Sequence, residues 1–498
     1  MAVTVNLFEH VKYSLKNSEE FRGIISKDKF SDDLENVLER IWKDRNRFIP
    51  AENLYYKSAS EKQRYIDFRK NDIVPRNWIG TIHFRGSEEE YVINLLPKVF
   101  YRENHSYSSD ELNCIYVHIL WWLSGSKKQN YSSLESSLGA LASDFLEVMV
   151  YIFSAYTLEI FSINAYHYYN TVEEELETVR GQIDFTAYIN NYGRGNRHII
   201  PCIYDSFQYD NQFNRIVKYV AGMLREFTRN PGTKKNLDEL LFILDEVETC
   251  SVTVEDCDKV ILNPIYTEFK TILDNCRLFL SSLSVYKWKD DYNVFALLIP
   301  AEKLFENFIF SILKNNSVPP VKRISRTRPD TSRTFLVRQL PAMEANRYQM
   351  INDIVVSLQD GSHILIDTKY KKIYNTAGEE EEELDTVYNI SQADVYQMVS
   401  YAVGSGISEI SLIYPALLGE VQSRELPVYE IDDDFTQNTA ISIHPFKVDI
   451  IHKDGLSMKV NGRLEEIFEE TKELLVKQLM NSVLKIRDKS YARASGKL

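Results

Sequence analysis

The residues best suited to chemistry lie in one short stretch, residues 351–369. Asp353 opens an apolar run, a turn follows at residues 359–362, and a second apolar run ends in Asp367, Thr368 and Lys369. This pattern predicts a hairpin in which Asp353 and Asp367 lie side by side on adjacent strands. Because strand side chains alternate between faces, Asp367 and Lys369 are expected to point the same way.

Two carboxylates and one ammonium that meet at the end of paired strands are costly in a structural core. The same groups suit a divalent cation, Mg²⁺ or Mn²⁺, that activates water beside a phosphate. The alternative for the hairpin alone is a pair of solvated strand ends. Two other matches to such a motif are weaker. Asp330 lies in a polar, loop-like stretch, and Glu470 and Lys472 fall in a charged helix where ion pairs at these spacings are ordinary.

Two further elements are predicted to flank the hairpin. Residues 391–402 form an amphipathic helical pattern that brings Gln397 and Tyr401, four residues apart, to one face. Residues 298–313 predict a second helix that begins near Pro300 and carries Glu306 in its first turns.

Together these residues resemble the motif of the PD-(D/E)XK nucleases, including their Gln-x-x-x-Tyr helix. The order of several segments is similar to that of the McrC family, the nuclease subunits of McrBC-type restriction systems, and of its LlaJI-like relatives. The segments are residues 179–184 (VRGQID), 202–218 (CIYDSFQYDNQFNRIVK), 340–344 (LPAME), 367–371 (DTKYK) and 394–401 (DVYQMVSY). This chain departs from the family pattern at Asn352, where a proline is expected, and at Gln182, where an arginine is expected.

The resemblance implies a role for each residue of the motif. The implied metal ligands are Asp353, Asp367, the backbone carbonyl of Thr368 and Glu306, the last directly or through water. The implied catalytic set adds Lys369, which would orient the water or stabilise the transition state, and Gln397 and Tyr401, which would position the motif strand.

The charge of the chain constrains how it could bind nucleic acid. A formal net charge of −14 is not that of a general nucleic-acid coat protein, although an acidic nuclease can keep a locally basic groove. The candidate DNA-binding residues precede the hairpin and comprise Lys322, Arg323, Arg326, Arg328, Arg333 and Arg338. The basic end of the chain, from Lys485 to Lys497, is expected to be a disordered polar tail.

The expected fold class is α/β (α+β) in three parts, since 498 residues exceed one typical domain. Residues 1–168 are expected to form an α+β domain with a β-rich part near residues 78–101. Residues 169–292 are expected to be mostly helical. Residues 293–498 are expected to form a PD-(D/E)XK restriction-endonuclease-like core, a central mixed sheet flanked by helices.

The resemblance also implies partners. The sequence has no Gly-x-x-x-x-Gly-Lys-(Ser/Thr) motif, so the chain itself is not expected to bind a nucleotide. McrC-like subunits work with a separate McrB-like AAA+ GTPase hexamer on double-stranded DNA, and the N-terminal domain would either dock on that ring or read DNA.

The location of the protein follows from weaker signals. The five cysteines include no Cys-x-x-Cys pair, which fits a reducing cytoplasm. The apolar residues 145–163 are interrupted by Glu147 and Glu159 and are expected to be a buried helix rather than a membrane span. Two other functions stay open: a self-sufficient RecB-like nuclease, and a non-catalytic scaffold that binds DNA or a partner.

Overall fold

A computed structural model describes residues 2–44, 63–127, 144–164, 166–262, 267–287, 293–326, 335–338, 346–349, 353–371, 386–387, 390–420, 426–431, 440–460, 462 and 464–494. Across these residues the chain is a mixed α/β protein, which confirms the expected class at that level.

The strands are β1 Val3–Phe8, β2 Tyr13–Ser14, β3 Ile66–Arg69, β4 Asp72–Pro75, β5 Trp78–Arg85, β6 Glu90–Leu96, β7 Tyr168–Leu176, β8 Gln182–Ile183, β9 Ile200–Gln208, β10 Leu283–Lys287, β11 Asn293–Pro300, β12 Val321–Ser325, β13 Phe335–Arg338, β14 Asn346–Gln349, β15 Ile354–Leu358, β16 His363–Thr368, β17 Thr386–Val387, β18 Ile390–Ser391, β19 Glu409–Pro415, β20 Tyr429–Ile431 and β21 Ile441–Val448. The helices are α1 Lys27–Asp44, α2 Ser109–Lys127, α3 Phe145–Ile163, α4 Phe185–Gly193, α5 Gln212–Phe227, α6 Pro231–Ile243, α7 Val254–Lys259, α8 Thr267–Ser282, α9 Ala301–Asn315, α10 Gln392–Ser405, α11 Leu464–Ile467 and α12 Glu469–Ala494.

The chain folds into two compact units that are discontinuous in sequence. The first unit comprises Met1–Asn36, Arg64–Phe145 and Leu298–Leu498, and the second comprises Val37–Gln63 and Leu146–Leu297. This grouping differs from the three consecutive domains expected from the sequence, because segments far apart in the chain pack into one unit. The functional roles assigned to those domains stay predictions.

The central feature of the first unit is a six-stranded sheet in the order β12-β15-β16-β19-β21-β20. Neighbouring strands are antiparallel from β12 to β16, parallel from β16 through β19 to β21, and antiparallel again at β20. Every residue of β19 is buried, as expected for a central strand between parallel neighbours. The hairpin of β15 and β16 confirms the strand-turn-strand expected there.

Helix α10 covers one face of this sheet. Its Met398 and Ala402 share a buried cluster with Leu365 of β16 and with Leu412 of β19. Because side chains alternate along a strand, Asp367 points to the same face as Leu365, toward α10. The sheet and this helix therefore bring the predicted hairpin acid and the Gln-x-x-x-Tyr helix together.

Helix α9 approaches the same strand from the other face, where the ring centroids of Phe305 and Tyr370 lie 5.8 Å apart. Helix α2 supports α9: Trp121 meets Phe308 edge to face with centroids 4.9 Å apart. Gly125 allows this approach, because a Cβ atom at that position would lie 2.6 Å from the Phe308 ring. The position of Glu306 on α9 thus depends on packing by the N-terminal part of the chain.

The N-terminal part of the first unit contains the strands expected near residues 78–101, now seen as β5 and β6, which pair in antiparallel fashion. Strand β1 pairs with β6 in parallel and was not predicted, although its residues alternate in a strand-like way. A separate three-stranded sheet has the order β2-β4-β3.

The second unit corrects the expectation of a helical middle region. Helices α4 to α8 fall in that region, but it begins with a three-stranded sheet in the order β7-β9-β8. The residues of strand β7 fall in the block that was expected to be mostly helical. Nine consecutive residue pairs with β9 instead fix it as a strand, a long-range partnership that local pattern does not reveal.

Two helices bear on other expectations. Helix α12 continues to Ala494, so the expected disordered tail is wrong for residues 485–494. Helix α3 is the described helix with the length and composition of a membrane span, and 56% of its most apolar 18-residue window is buried inside the protein. The expected absence of a membrane association stays a prediction.

Candidate active site

The two hairpin acids face each other. Ile354 of β15 pairs with Ile366 of β16 in antiparallel register, so Asp353 and Asp367 form the next opposed pair along the ladder. Asp367 is 2% exposed, whereas Asp353 lies at an intermediate depth. The structure therefore brings together the two carboxylates that the sequence placed at the ends of paired strands.

Thr368 fixes the orientation of Asp353. The Thr368 backbone N–H and its hydroxyl both donate to Asp353 Oδ2, each at 3.0 Å. One carboxylate oxygen of Asp353 is thus held by the neighbouring strand.

Lys369 is partly buried and contacts several partners. Its Nζ lies 2.8 Å from Asp367 Oδ2 and donates to Gln397 Oε1 at 2.8 Å. Burial acts most strongly and lowers the pKa of this ammonium, but the carboxylates of Asp367, Asp394 and Asp353 together outweigh it and the pKa is raised. Lys369 therefore stays charged, and its position is fixed on both sides.

Helix α10 supplies the partners on the far side of Lys369. Gln397 Nε2 donates to Tyr401 Oη at 2.8 Å, one helical turn along, so the amide is held between the phenol and the ammonium. Burial raises the pKa of Tyr401, partly offset by the hydrogen bond from Gln397. Gln397 and Tyr401 thus form one hydrogen-bonded chain that ends at Lys369.

Glu306 completes the acidic group from α9, the helix predicted to carry it. It is 8% exposed, forms an ion pair with Lys303 and lies 3.5 Å from the Arg326 guanidinium. Burial raises the pKa of Glu306, and the charge of Asp353 raises it further. The Asp353 carboxylate is therefore close enough to disfavour the charged form of Glu306.

Among these acids, Asp367 has the pKa that is raised most. Burial and then the nearby Asp353 raise its pKa to about 7, against a partial offset from Lys369. Two acids that oppose each other's ionisation are the setting in which a bound cation relieves the largest electrostatic cost.

The carboxylate oxygens of the site are suitable ligands for a divalent cation. Among the described residues, no three His, Cys, Asp or Glu side chains form a ready-made metal cage. Asp353 and Asp367 still fit Mg²⁺ or Mn²⁺, because hard cations prefer carboxylate oxygens and Mg²⁺ usually keeps several waters while binding one or two carboxylates. The chemistry of the opposed pair suits such an ion.

The basic cluster is only partly described. Lys322 and Arg323 are exposed on β12, an edge strand of the six-stranded sheet. The Arg326 guanidinium stacks over the Phe310 ring at 4.3 Å and faces Glu306, so it is already engaged within the protein. Arg338 lies in β13 without a described side chain, whereas Arg328 and Arg333, like Asp330 and residues 340–344, fall outside the described residues.

Sequence reasoning missed two charged residues of the site. Asp394, 4% exposed in the first turn of α10, accepts from Lys371 Nζ with both carboxylate oxygens, at 2.9 and 3.0 Å. The same carboxylate lies 3.8 Å from Lys369 Nζ. The available signal was spacing, since Lys371 follows Lys369 by two residues and Asp394 precedes Gln397 by three.

The remaining family-like segments lie in the second unit and have structural roles there. Gly181 adopts a φ of +68°, and a Cβ atom would lie 2.5 Å from the Ile203 carbonyl oxygen. Asp184 caps α4 by accepting from two backbone N–H groups. Gln182, the departure from the family pattern, is an exposed residue of β8.

The segment at residues 202–218 is built around Arg215. Its guanidinium donates to both oxygens of Asp210, at 2.7 and 2.8 Å, and lies 2.8 Å from Glu248. Asn214 donates to the backbone carbonyls of Tyr166 and Tyr209. These contacts tie the end of β9 to the start of α5 and do no chemistry.

The fold and site define a mixed α/β protein with a buried acid–lysine cluster at the end of a strand hairpin. Residues 73–415 match the family model described as McrBC 5-methylcytosine restriction system component, and the chain belongs to that family. No curated protein matches the sequence.

Two solved structures are similar. One is a chain of the refined half-complex from a tetradecameric assembly of Thermococcus gammatolerans McrB AAA+ hexamers with bound McrC, with 16% identity, a TM-score of 0.59 and coverage of 96% of this chain and 99% of that chain. The other is from the cryo-EM structure of the Thermococcus gammatolerans McrBC complex, with 18% identity, a TM-score of 0.46 and coverage of 63% and 88%. At this identity, the first similarity concerns the fold.

Proposed function

We propose that this chain is the nuclease subunit of a McrBC-type restriction system, an endodeoxyribonuclease with a PD-(D/E)XK core that cuts double-stranded DNA. The observation that carries the proposal is the opposed pair Asp353 and Asp367, with the Lys369 ammonium 2.8 Å from Asp367. The mixed order of the six-stranded sheet, with the pair on its antiparallel hairpin, supports the proposed core.

The proposed cofactor is Mg²⁺ or Mn²⁺, held by Asp353, Asp367 and the Thr368 backbone carbonyl, with Glu306 directly or through water. When bound, the ion supplies an activated water and offsets charge on the scissile phosphate. Thr368 holds one carboxylate oxygen of Asp353 through two hydrogen bonds. The raised pKa means that Asp367 is mostly charged only above about pH 7 without a cation.

Lys369 is proposed to stabilise charge that develops on the phosphate in the transition state. A preorganised ammonium is effective in this role because it need not reorient as the reaction proceeds. Gln397, held by Tyr401, fixes the side of the ammonium away from Asp367. The exposed Lys322 and Arg323 are proposed to contact DNA phosphates.

The proposed partner is a McrB-like AAA+ GTPase hexamer, because the similar solved chain comes from an assembly of McrB AAA+ hexamers with bound McrC. This chain would bind no nucleotide itself, in keeping with the missing phosphate-binding motif. The part within residues 1–168 would dock on that ring or read DNA. A cytoplasmic location is part of the same proposal.

The test is cleavage of methylated and unmethylated plasmid DNA by the full chain with its cognate AAA+ GTPase, GTP and Mg²⁺. Asp367→Asn and Lys369→Met are expected to abolish cutting while each variant still assembles with the partner. Lys472→Met is the matched control, because Lys472 follows Glu470 on α12 with the spacing that Lys369 has from Asp367. This variant is expected to cut like the unmodified chain. Normal cutting by either site variant refutes the assignment.

A reaction without the GTPase separates the alternatives that the sequence left open. Cutting by the chain with Mg²⁺ alone would favour a self-sufficient nuclease. DNA binding without cutting in any mixture would favour a scaffold.

A further inference from the structure

The charged residues Asp394 and Lys371 extend the site beyond the proposed catalytic set. Asp394 is 4% exposed and binds the Lys371 ammonium with both oxygens. A buried carboxylate is costly unless it is paired and hydrogen-bonded, and an apolar residue at position 394 would avoid that cost. The pair therefore calls for an explanation beyond stability.

Asp394 is shared between two ammoniums. Its Oδ1 lies 2.9 Å from Lys371 Nζ and 3.8 Å from Lys369 Nζ. The side chain of Lys369 is 14% exposed, whereas that of Lys371 is 49% exposed. One ammonium is thus enclosed at the acid pair, and the other stands at the solvent edge of the same charged group.

The backbone holds this arrangement in place. Lys369 N–H donates to the Ile413 carbonyl of β19 at 2.8 Å, and Lys371 N–H donates to the Lys369 carbonyl at 2.8 Å, so the chain turns where β16 ends. Asp394 N–H donates to the Ser391 hydroxyl that caps α10. The first turn of α10 is therefore pinned against the end of β16.

We propose that Asp394 is a positioning residue for both lysines and that Lys371 binds a DNA phosphate beside the scissile one. This inference rests on the proposed nuclease function and deepens it by naming the second phosphate contact. Among the described residues, Lys371 is an exposed cation that shares the Asp394 carboxylate with the enclosed Lys369, which suits it to a phosphate next to the one at Lys369. An ammonium has three donors, so one remains for a phosphate when Lys371 donates to both oxygens of Asp394.

The phosphate contact is tested by DNA binding, which does not depend on cutting. The chain assembled with its AAA+ GTPase is titrated with labelled duplex DNA in Ca²⁺ over a range of salt concentrations. Lys371→Met is expected to weaken binding about tenfold and to reduce the slope of log K against log salt by about one. Lys371→Arg is expected to keep the affinity and the salt slope of the unmodified chain, because arginine retains the positive charge.

The matched control is Lys453→Met, another exposed lysine paired with one carboxylate, Glu470, and it is expected to leave binding unchanged. An unaltered salt slope in Lys371→Met would overturn the phosphate contact, and so would an equal loss in the control.

The positioning role of Asp394 is tested by steady-state cleavage with Mg²⁺. Asp394→Asn keeps a good first-turn residue but weakens the hold on both lysines, so kcat is expected to fall about tenfold or more and KM to rise. Asp394→Glu is expected to recover part of kcat. A variant that loses only folding stability, with kcat and KM unchanged, would contradict positioning.

The two levels of the account fail separately. If the unmodified complex binds DNA with the Lys371-dependent salt slope but does not cut, the nuclease function fails and the phosphate contact stands. If it cuts while Lys371→Met and Asp394→Asn behave like the unmodified chain, only the further inference fails.

Discussion

Asp367→Asn should stabilise the metal-free protein, and the effect should depend on pH. Asp367 is buried and its pKa is raised from 3.8 to about 7, with burial as the main cause and Asp353 as the second. The raised pKa means that the folded state keeps a proton that the unfolded chain releases. This proton contributes fully to the free energy of unfolding below about pH 4, and its contribution is lost as the pH rises through about 7.

The size of the effect follows from the shift. Each pKa unit corresponds to about 1.4 kcal/mol, so the unmodified protein should lose as much as about 4 kcal/mol relative to the asparagine variant between about pH 4 and about pH 8. Asparagine has the same shape, and its amide oxygen can still accept a hydrogen bond from Lys369. Mg²⁺ at about a hundred times its Kd should return about 2.7 kcal/mol to the unmodified protein alone.

The assay is thermal denaturation of both proteins at about pH 5 and about pH 8, with EDTA or Mg²⁺. Asp360→Asn in the turn of the same hairpin is the control, because hydrogen bonds from Ser362 and Tyr491 lower the pKa of Asp360 to about 2. That substitution should destabilise the protein equally at both pH values, because the Asp360 carboxylate is ionised in the folded and the unfolded chain at each of them. If Asp367→Asn melts at a lower temperature in EDTA at about pH 8, or responds to Mg²⁺ like the unmodified chain, the electrostatic account is refuted.

Three further substitutions test the supporting structure. Burial raises the pKa of Glu9 to about 7, so the unmodified protein should lose about 3 kcal/mol of unfolding free energy between about pH 5 and about pH 8. Glu9→Gln should not show this loss. Urea titrations at several pH values measure it, and the same pH dependence in both proteins argues against the account. Gly181→Ala should lower the free energy of unfolding by about 1–3 kcal/mol, because Gly181 has a left-handed backbone conformation and the new Cβ would collide with the Ile203 carbonyl. Gly222→Ala, in open space on α5, is the control and should raise it by about 0.5–1 kcal/mol. Urea midpoints that shift in the same direction for both variants would contradict the packing. Arg215→Lys should lower the free energy of unfolding by about 1–2 kcal/mol, because a lysine cannot reproduce the bidentate hydrogen bond to Asp210. An unfolding midpoint equal to that of the unmodified chain would show that this hydrogen bond does not stabilise the fold.

Local pattern carried the sequence predictions that the structure confirms. The hairpin of β15 and β16, helix α9 with Glu306 and helix α10 with Gln397 and Tyr401 each follow from a periodicity of two or 3.6 residues and from nearby turn or capping residues. The opposed positions of Asp353 and Asp367 then follow from hairpin register alone.

The misses have long-range causes. Strand β7 lies in a block that was expected to be mostly helical, and its pairing with β9 makes it a strand. Strand β1 pairs in parallel with β6, which lies far along the chain. The two-unit grouping depends on packing between distant segments, which periodicity does not encode.

The missed site residues have the same explanation. Asp394 and Lys371 are ordinary helix-start and loop residues until the first turn of α10 meets the end of β16. Arg326 was grouped with DNA-binding residues by its charge; its guanidinium faces Glu306, and its contact with DNA stays a prediction. Sequence pattern identified which groups were available, and tertiary packing decided which of them meet.

The most direct test of the account is to locate the metal. Crystals of the chain soaked in MnCl₂ should give an anomalous difference peak against the carboxylates of Asp353 and Asp367, and the peak should vanish in Asp367→Asn. A strong peak at another site, or none between these two acids in the unmodified protein, would contradict the claim that the hairpin is a metal-dependent nuclease centre.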